Sequence, residues 1–254
     1  MKIQTAQVHR DYAICCKIFE PSDGKVERVI LGIHGFGGSK ESGALTMLAD
    51  AMRGEKTALV CFDLPAHGES TLDGSSLTVK DARADVQYMI RFVTERYPHA
   101  KKAVFATSFG AFLALSCADV LRDWVMVLRA PAIAMPTVLL ENVLHLTAEQ
   151  FRTIGSVRCP FARPIDLSYA CYEELLSTVS SVQAVDRSML IVHGDADEVV
   201  PLSSAQAYAR LHDGVTLRVI EGANHRFQAD GTLQTAIDVS KGYLLGEWGR
   251  GLDS

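Results

Sequence analysis

The chain has 254 residues, 48% of them hydrophobic, and a formal net charge of −5 at pH 7. That length accommodates one sizeable α/β domain with room for an inserted subdomain. Charges of both signs are mixed without long runs of one kind, which excludes the electrostatic footprint of a nucleic-acid or anionic-membrane binder. No stretch approaches the ~18 uninterrupted apolar residues of a membrane span, and Met1-Lys2-Ile3-Gln4-Thr5 opens without the apolar segment of a secretory leader. The six cysteines, Cys15, Cys16, Cys61, Cys117, Cys159 and Cys171, form no C-x-x-C pair and are expected to be reduced, buried thiols of a cytoplasmic protein.

Residues 2–8 and 12–19 predict two strands joined at His9-Arg10-Asp11. Residues 26–33 follow, and the run Val29-Ile30-Leu31-Gly32-Ile33, apolar without alternation, predicts a strand covered on both faces. It ends in His34-Gly35-Phe36-Gly37-Gly38-Ser39, whose glycines leave backbone N–H groups accessible, and a helix is predicted over residues 42–53. Residues 57–62 predict the next buried strand, ending in the polar turn Asp63-Leu64-Pro65-Ala66-His67-Gly68-Glu69-Ser70. Thr78 is placed to cap a helix reaching Tyr97, with Val79, Ala82, Val86, Met89, Ile90 and Val93 as its apolar stripe and Pro98 beyond its end. Residues 103–106 predict a short buried strand, Thr107-Ser108-Phe109-Gly110 a sharp turn, residues 111–121 an alanine-rich helix and residues 124–128 another buried strand.

From residue 130 to 187 this alternation fails, and Pro131, Pro136, Pro160 and Pro164 punctuate the chain. A helix is predicted over 137–151, a hairpin from 151–157 and 161–167 turned at Cys159-Pro160, and a second helix over 169–177. A structureless loop of this length is improbable in a compact domain, so the segment reads as an inserted cap. The alternation resumes with a strand at 188–192 ending in His193-Gly194-Asp195-Ala196-Asp197-Glu198-Val199-Val200-Pro201. A helix over 203–212, a strand at 215–220, the turn Glu221-Gly222-Ala223-Asn224-His225-Arg226-Phe227 and a helix over 232–248 complete the chain. Strands and helices alternating at these lengths predict an α/β fold, a mainly parallel sheet with helices on both faces. Its core comes from 1–129 and 188–254, with the cap at 130–187.

In such sheets ligands bind at the carboxyl ends of the strands, where every polar turn above lies. Ser108 sits on a strand–turn–helix bend that projects its side chain beside the N–H groups of a helix start. A serine N-cap on a buried helix is the bland alternative. Ser108, Asp197 and His225 follow buried strands in the order nucleophile, acid, base. Serine needs a base within hydrogen-bond reach, and the base needs an orienting acid. Asp195 competes with Asp197 for that last role. The backbone N–H groups of Phe109 and Phe36 are the candidate oxyanion donors.

On five segments the sequence resembles the α/β-hydrolase superfamily: His34-Gly35-Phe36-Gly37-Gly38, Asp63 to Ser70, Ala106-Thr107-Ser108-Phe109-Gly110, His193 to Pro201, and Gly222-Ala223-Asn224-His225. The resemblance spans nearly all of the chain outside the cap. It implies Asp197 as the acid and a structural role for His67, and it departs from the family pattern at Ala106, where glycine is usual. The length and cap position are similar to small bacterial carboxylesterases of the cinnamoyl (feruloyl) esterase type. The resemblance implies a serine carboxylic ester hydrolase that takes a small-molecule ester with a small or aromatic acyl group. A monoacylglycerol lipase, thioesterase or aminopeptidase remains open, as does a non-catalytic ligand-binding protein. No cofactor is expected, and no metal, since H-x-x-H and H-E-x-x-H spacings are lacking. A homodimer is compatible with the sequence. In the cap, Glu141, His145, Tyr169 and Tyr172 stand beside an aliphatic face and are the candidate substrate contacts.

Overall fold

The computed structural model describes residues 1–247. Eight strands form one sheet: β1 (Lys2–His9), β2 (Ala13–Glu20), β3 (Arg28–Ile33), β4 (Thr57–Phe62), β5 (Lys101–Thr107), β6 (Val125–Arg129), β9 (Met189–Gly194) and β10 (Val215–Ile220). β7 (Ser156–Cys159) and β8 (Ile165–Ser168) make a separate antiparallel hairpin. The sheet order is β1-β2-β4-β3-β5-β6-β9-β10. β1 and β2 pair antiparallel, as do β2 and β4, and every later pairing is parallel.

Alternation along each strand divides the core between the two faces. Val29, Leu31 and Ile33 of β3 and Val104 and Ala106 of β5 enter one layer, whereas Ile30, Ala103 and Phe105 enter the other. The first layer packs beneath α2 (Val79–Arg96), α3 (Phe109–Ser116) and α7 (Leu202–Leu211), and the second beneath α1 (Gly43–Ala51) and α8 (Thr232–Leu245). Each large side chain fully buried here, Phe105 among them, contributes about 1.5–3 kcal/mol. Thr78 caps α2 as predicted, its side chain accepting from the Asp81 N–H.

α3 starts at Phe109 and stops at Ser116, shorter at its end than the predicted 111–121. Beyond Ser116 the N–H groups of Cys117, Ala118 and Val120 bond three residues back, so the remaining alanine-rich stretch winds as tight turns. The predicted closing helix ends at Leu245, with Gly246 in the left-handed conformation, and its expected end at Trp248 lies outside the described residues.

Between β6 and β9 the single helix predicted over 137–151 is broken. A short α4 (Met135–Thr137) runs into a π-turn over Val138–Leu144, His145 takes φ 52°, and α5 (Ala148–Ile154) begins anew. The cause is local: Thr147 and Gln150 form a reciprocal capping box, which sets up a fresh helix start. α5 also absorbs Phe151–Ile154, so the first hairpin strand starts only at Ser156, after Gly155 ends the helix at φ 81°. α6 (Tyr169–Gln183) continues six residues past the predicted end at 177, burying Thr178 and Val182, and its Thr178 and Ser181 hydroxyls bond to main-chain carbonyls of the preceding turn.

One close approach joins the loops after β9 and β10. A Cβ on Gly194 would lie 2.0 Å from the Ala223 carbonyl oxygen, whereas one on Gly43 meets nothing within 4 Å. Gly194→Ala should therefore cost on the order of 1–3 kcal/mol, and Gly43→Ala should leave stability unchanged or slightly higher. Urea midpoints of the three proteins test this, and equal midpoints contradict the contact.

Candidate active site

Because β3, β5, β6, β9 and β10 run parallel, their carboxyl ends deliver the polar turns to one edge of the sheet. Ser108 joins β5 to α3 at φ 51° and ψ −113°, a conformation rare for a residue with a Cβ. Its side chain makes no capping bond, so the N-cap alternative does not describe it. The first intrahelical bond runs from Phe112 N–H to the Ser108 carbonyl, leaving the Phe109 N–H among the groups without an intrahelical acceptor. Gly110 is obligatory at this bend: a Cβ there would lie 2.3 Å from the His34 carbonyl oxygen and 2.8 Å from that of Ile33. The methyl of Ala106, by contrast, is buried in the core without disturbing the pairing of β5 with β3 and β6.

His225, after β10, places Nε2 3.2 Å from Ser108 Oγ and Nδ1 2.9 Å from Asp197 Oδ2. The Asp197 carboxylate is buried, and its Oδ1 accepts the Val199 and Val200 N–H groups at 3.0 and 2.7 Å. Burial alone would raise its carboxyl; hydrogen bonds from His193 and His225 outweigh that and hold it far below the ordinary carboxylate range. His193, also buried, lies 3.3 Å from Asp197 Oδ2 and donates from Nε2 to the Val200 carbonyl at 2.9 Å. Asp195 is turned elsewhere, its Oδ1 accepting the Gly222 N–H at 2.7 Å. Glu198 accepts the main-chain N–H of His225 at 3.2 Å.

A cavity of about 530 Å³ opens beside Ser108 and His225. Phe36 and Thr107 line it from the sheet side, and Pro160, Phe161 and Ala162, at the tip of the β7–β8 hairpin, line it from the cap. The Phe161 ring meets that of Phe36 edge-on at 5.0 Å, and Phe36 meets Phe109 edge-on at 5.8 Å. Arg163 anchors the hairpin by donating to the carbonyls of Gly68, Ser70 and Leu72. The four cap residues expected at the substrate are not among the cavity walls. Glu141 and His145 are exposed, with His145 Nδ1 2.8 Å from the Glu141 carbonyl. Tyr169 and Tyr172 pack on Phe151 and on each other inside the cap. Residues the sequence did not single out, Arg129 and Phe161, take that place. The turn at Cys159-Pro160 was the signal for Phe161; nothing comparable marks Arg129, the last residue of a strand.

Beneath the site His34 and His67 are buried, ring centroids 5.2 Å apart. His34 Nδ1 lies 2.8 Å from the Gly35 carbonyl, its Nε2 accepts the Leu64 N–H at 3.1 Å, and His67 Nδ1 lies 2.8 Å from the Pro65 carbonyl. Burial pushes His34 down to about 4 and His67, which also feels His34, down to about 3. Both are neutral structural groups at neutral pH.

The family described as "Serine aminopeptidase, S33" matches residues 24–166, more than half of the chain. No curated protein sequence matches it. Among solved structures, Est1E from Butyrivibrio proteoclasticus with ferulic acid bound superposes with a TM-score of 0.82 at 18% identity, covering 95% of this chain and 98% of that one. Alpha/beta hydrolase domain-containing protein 10 from mouse gives 0.73 at 16%, over 94% and 97%. The esterase domain of a Rhodothermus marinus protein gives 0.71 at 17%, over 97% and 99%. At these identities the likeness is one of fold.

The two buried imidazoles make stability depend on acid. Their folded-state values lie below the ~6.5 of an unfolded histidine, so the unfolded chain binds protons that the native state refuses. Their contribution is complete above about pH 6.5 and declines as pH falls toward 4 and then 3. The stability difference between the parent and His67→Gln should shrink on acidification from pH 7 to pH 4, at up to ~1.4 kcal/mol per pH unit. A difference that grows over that window contradicts the assignment.

Proposed function

Because the chain belongs to the serine aminopeptidase family of α/β-fold serine hydrolases, we propose that it is a carboxylic ester hydrolase acting through Ser108, His225 and Asp197. The observation that carries this reading is the unbroken hydrogen-bond path from Ser108 Oγ through His225 to Asp197, at 3.2 and 2.9 Å, on a strained turn at the edge of a cavity. His225 Nε2 takes the Ser108 proton as Oγ attacks the ester carbonyl, and then gives it to the departing alcohol. Water, deprotonated by His225, attacks the acyl-enzyme and releases the acid, returning Ser108 to its starting state. Asp197, kept ionised by its hydrogen bonds, holds the imidazole in the tautomer with Nδ1 protonated and stabilises the transient imidazolium. The N–H groups of Phe109 and Phe36 are the proposed donors to the tetrahedral oxyanion.

A small or aromatic acyl group is the proposed substrate portion. The edge-on rings of Phe36 and Phe161 support it, as does the fold-level likeness to Est1E, a protein that binds ferulic acid. Aminopeptidase activity, which the family description suggests, is disfavoured by charge. A free substrate amine seeks a carboxylate, yet the cavity is lined by Arg129 and Arg226 and by no acidic residue among those described. Six buried free thiols are in keeping with a reducing, cytoplasmic setting.

Ser108→Ala should lower kcat on an aryl ester by about 10⁴-fold or more and abolish labelling by a fluorophosphonate. Turnover within tenfold of the parent overturns the assignment. In the same assay Asp197→Asn should lose about 10²- to 10⁴-fold, and Asp195→Asn far less, because Asp195 braces the loop through Gly222. The reverse order would exchange their roles.

A further inference from the structure

Arg129 is the last residue of β6, 8% exposed, and lines the cavity beside Ser108. Its Nη1 donates to the His225 carbonyl at 3.3 Å, and its guanidinium lies over the Phe227 ring at 4.7 Å. Nε is buried and has no hydrogen-bond partner. Among the described residues no carboxylate forms an ion pair with it. Asp197, whose field reaches it, is already engaged by His193 and His225. Burial pushes this guanidinium down to about 10, so it is still a cation at neutral pH. A buried cation without an ion-pair partner is expensive, and the more distant charge of Asp197, a carbonyl and an aromatic face offset only part of the cost. Thr107, in the same wall, also buries an Oγ1 without a partner. Arg226 adds a second, exposed cation to the lining. In a chain of net charge −5, the cavity wall thus carries two arginines and no acid.

We propose that the substrate is an ester that itself bears a carboxylate, and that Arg129 binds this group, with Arg226 drawing it in from the rim. This rests on the serine hydrolase reading and names its substrate class. A guanidinium fork presents parallel N–H groups that match a carboxylate, and at a residue as buried as Arg129 such a charge-assisted bond is strong. Positive walls also concentrate anions at the mouth. Neutral hydroxycinnamate or alkyl esters carry no anionic group to pair with Arg129.

The test uses matched pairs. On the acyl side, an aryl hemiglutarate is compared with the aryl pentanoate. On the alcohol side, the butyryl ester of 4-hydroxybenzoate is compared with that of 4-hydroxybenzamide. In at least one pair the parent should prefer the anion by about tenfold or more in kcat/KM, mainly through KM, and the preference should shrink as salt rises. Arg129→Gln should bring that ratio to about one, and Arg226→Gln should reduce it partially. The ratio is independent of any loss of absolute rate that follows from loosening His225. Binding of ethyl hydrogen glutarate and ethyl pentanoate to Ser108→Ala gives a readout without turnover, and the anion should bind more tightly. If the parent hydrolyses both members of both pairs equally, or if Arg129→Gln slows both members alike, the carboxylate proposal fails while the hydrolase reading stands. If fluorophosphonate does not label the parent but Ser108→Ala still prefers the anion, the hydrolase reading fails and the anion site stands.

Discussion

Holding Ser108 at φ 51° costs on the order of 1–3 kcal/mol, and the bend persists only where its surroundings over-determine it. Three strands do so. The Ser108 N–H donates to the Arg129 carbonyl of β6 at 3.0 Å, and its own carbonyl accepts from Phe112 in α3 and from Ala132 beyond β6. On the other side Gly110 rests against the carbonyls that end β3, which only a residue without a Cβ permits. The glycine-rich loop after β3 is shaped by the same contact, since a Cβ on Gly35 would lie 3.2 Å from that of Ser108. The hydroxyl at the cavity wall and the helix-start N–H beside it are thus one consequence of how β3, β5 and β6 pair.

The buried polar groups around this bend differ in how they are compensated. Asp63 accepts from the main chain of Lys40 and Glu69 and pairs with the Lys40 ammonium at 2.7 Å, while Glu69 closes the set. This is a satisfied network, and it pins the loop after β3 to the turn after β4. His34 and His67 shed their protons instead, because desolvation dominates and, at His67, outweighs the field of Asp63. Asp197 keeps its charge because two fixed backbone N–H groups and His225 donate to it, with the buried His193 ring 3.3 Å away. Arg129 follows neither course: a guanidinium cannot readily deprotonate, and its neighbours offer a carbonyl and a ring.

The sheet, and the edge at which Ser108, Asp197 and His225 meet, were legible from the strand runs, while the choice of Asp197 over Asp195 came from the family resemblance. Runs such as Val29 to Ile33 and Met189 to Val192 are apolar at every position, which only a doubly covered parallel strand tolerates, and the turns that follow them must then share an edge. The cap offered no such rule. Apolar spacing alone carries a helix over 137–151 through His145, whereas the Thr147–Gln150 capping box is the local signal that breaks it. Glu141 and His145 were accordingly assigned inward and lie exposed. Tyr169 and Tyr172, expected at the substrate, instead join the cap's own core around Phe151. Arg129 was illegible because a single arginine closing an apolar strand reads as an exposed strand end, and only the fold turns it into the cavity wall.

Substrate choice in this fold therefore rests on a small contact surface. The cap reaches the cavity through Pro160, Phe161 and Ala162 alone among the described residues. That tip has little regular structure of its own, so its position depends on its fastenings. Arg163 holds it to carbonyls of the turn after β4, and Phe161 sits on Gly37, whose φ of 72° and missing Cβ leave room for the ring. The turn after β4 is in turn fixed by the Asp63–Lys40 network to the loop that carries Phe36. The aromatic roof and the proposed oxyanion donor are thus positioned by one connected set of bonds, while Arg129 is positioned from the opposite side by β6 and the His225 loop. A change in the hairpin should alter which acyl group fits without moving the cation. A change at Arg129 alters which charge is tolerated without moving the roof. Shape and charge selection are separable in this chain because they are built on different strands.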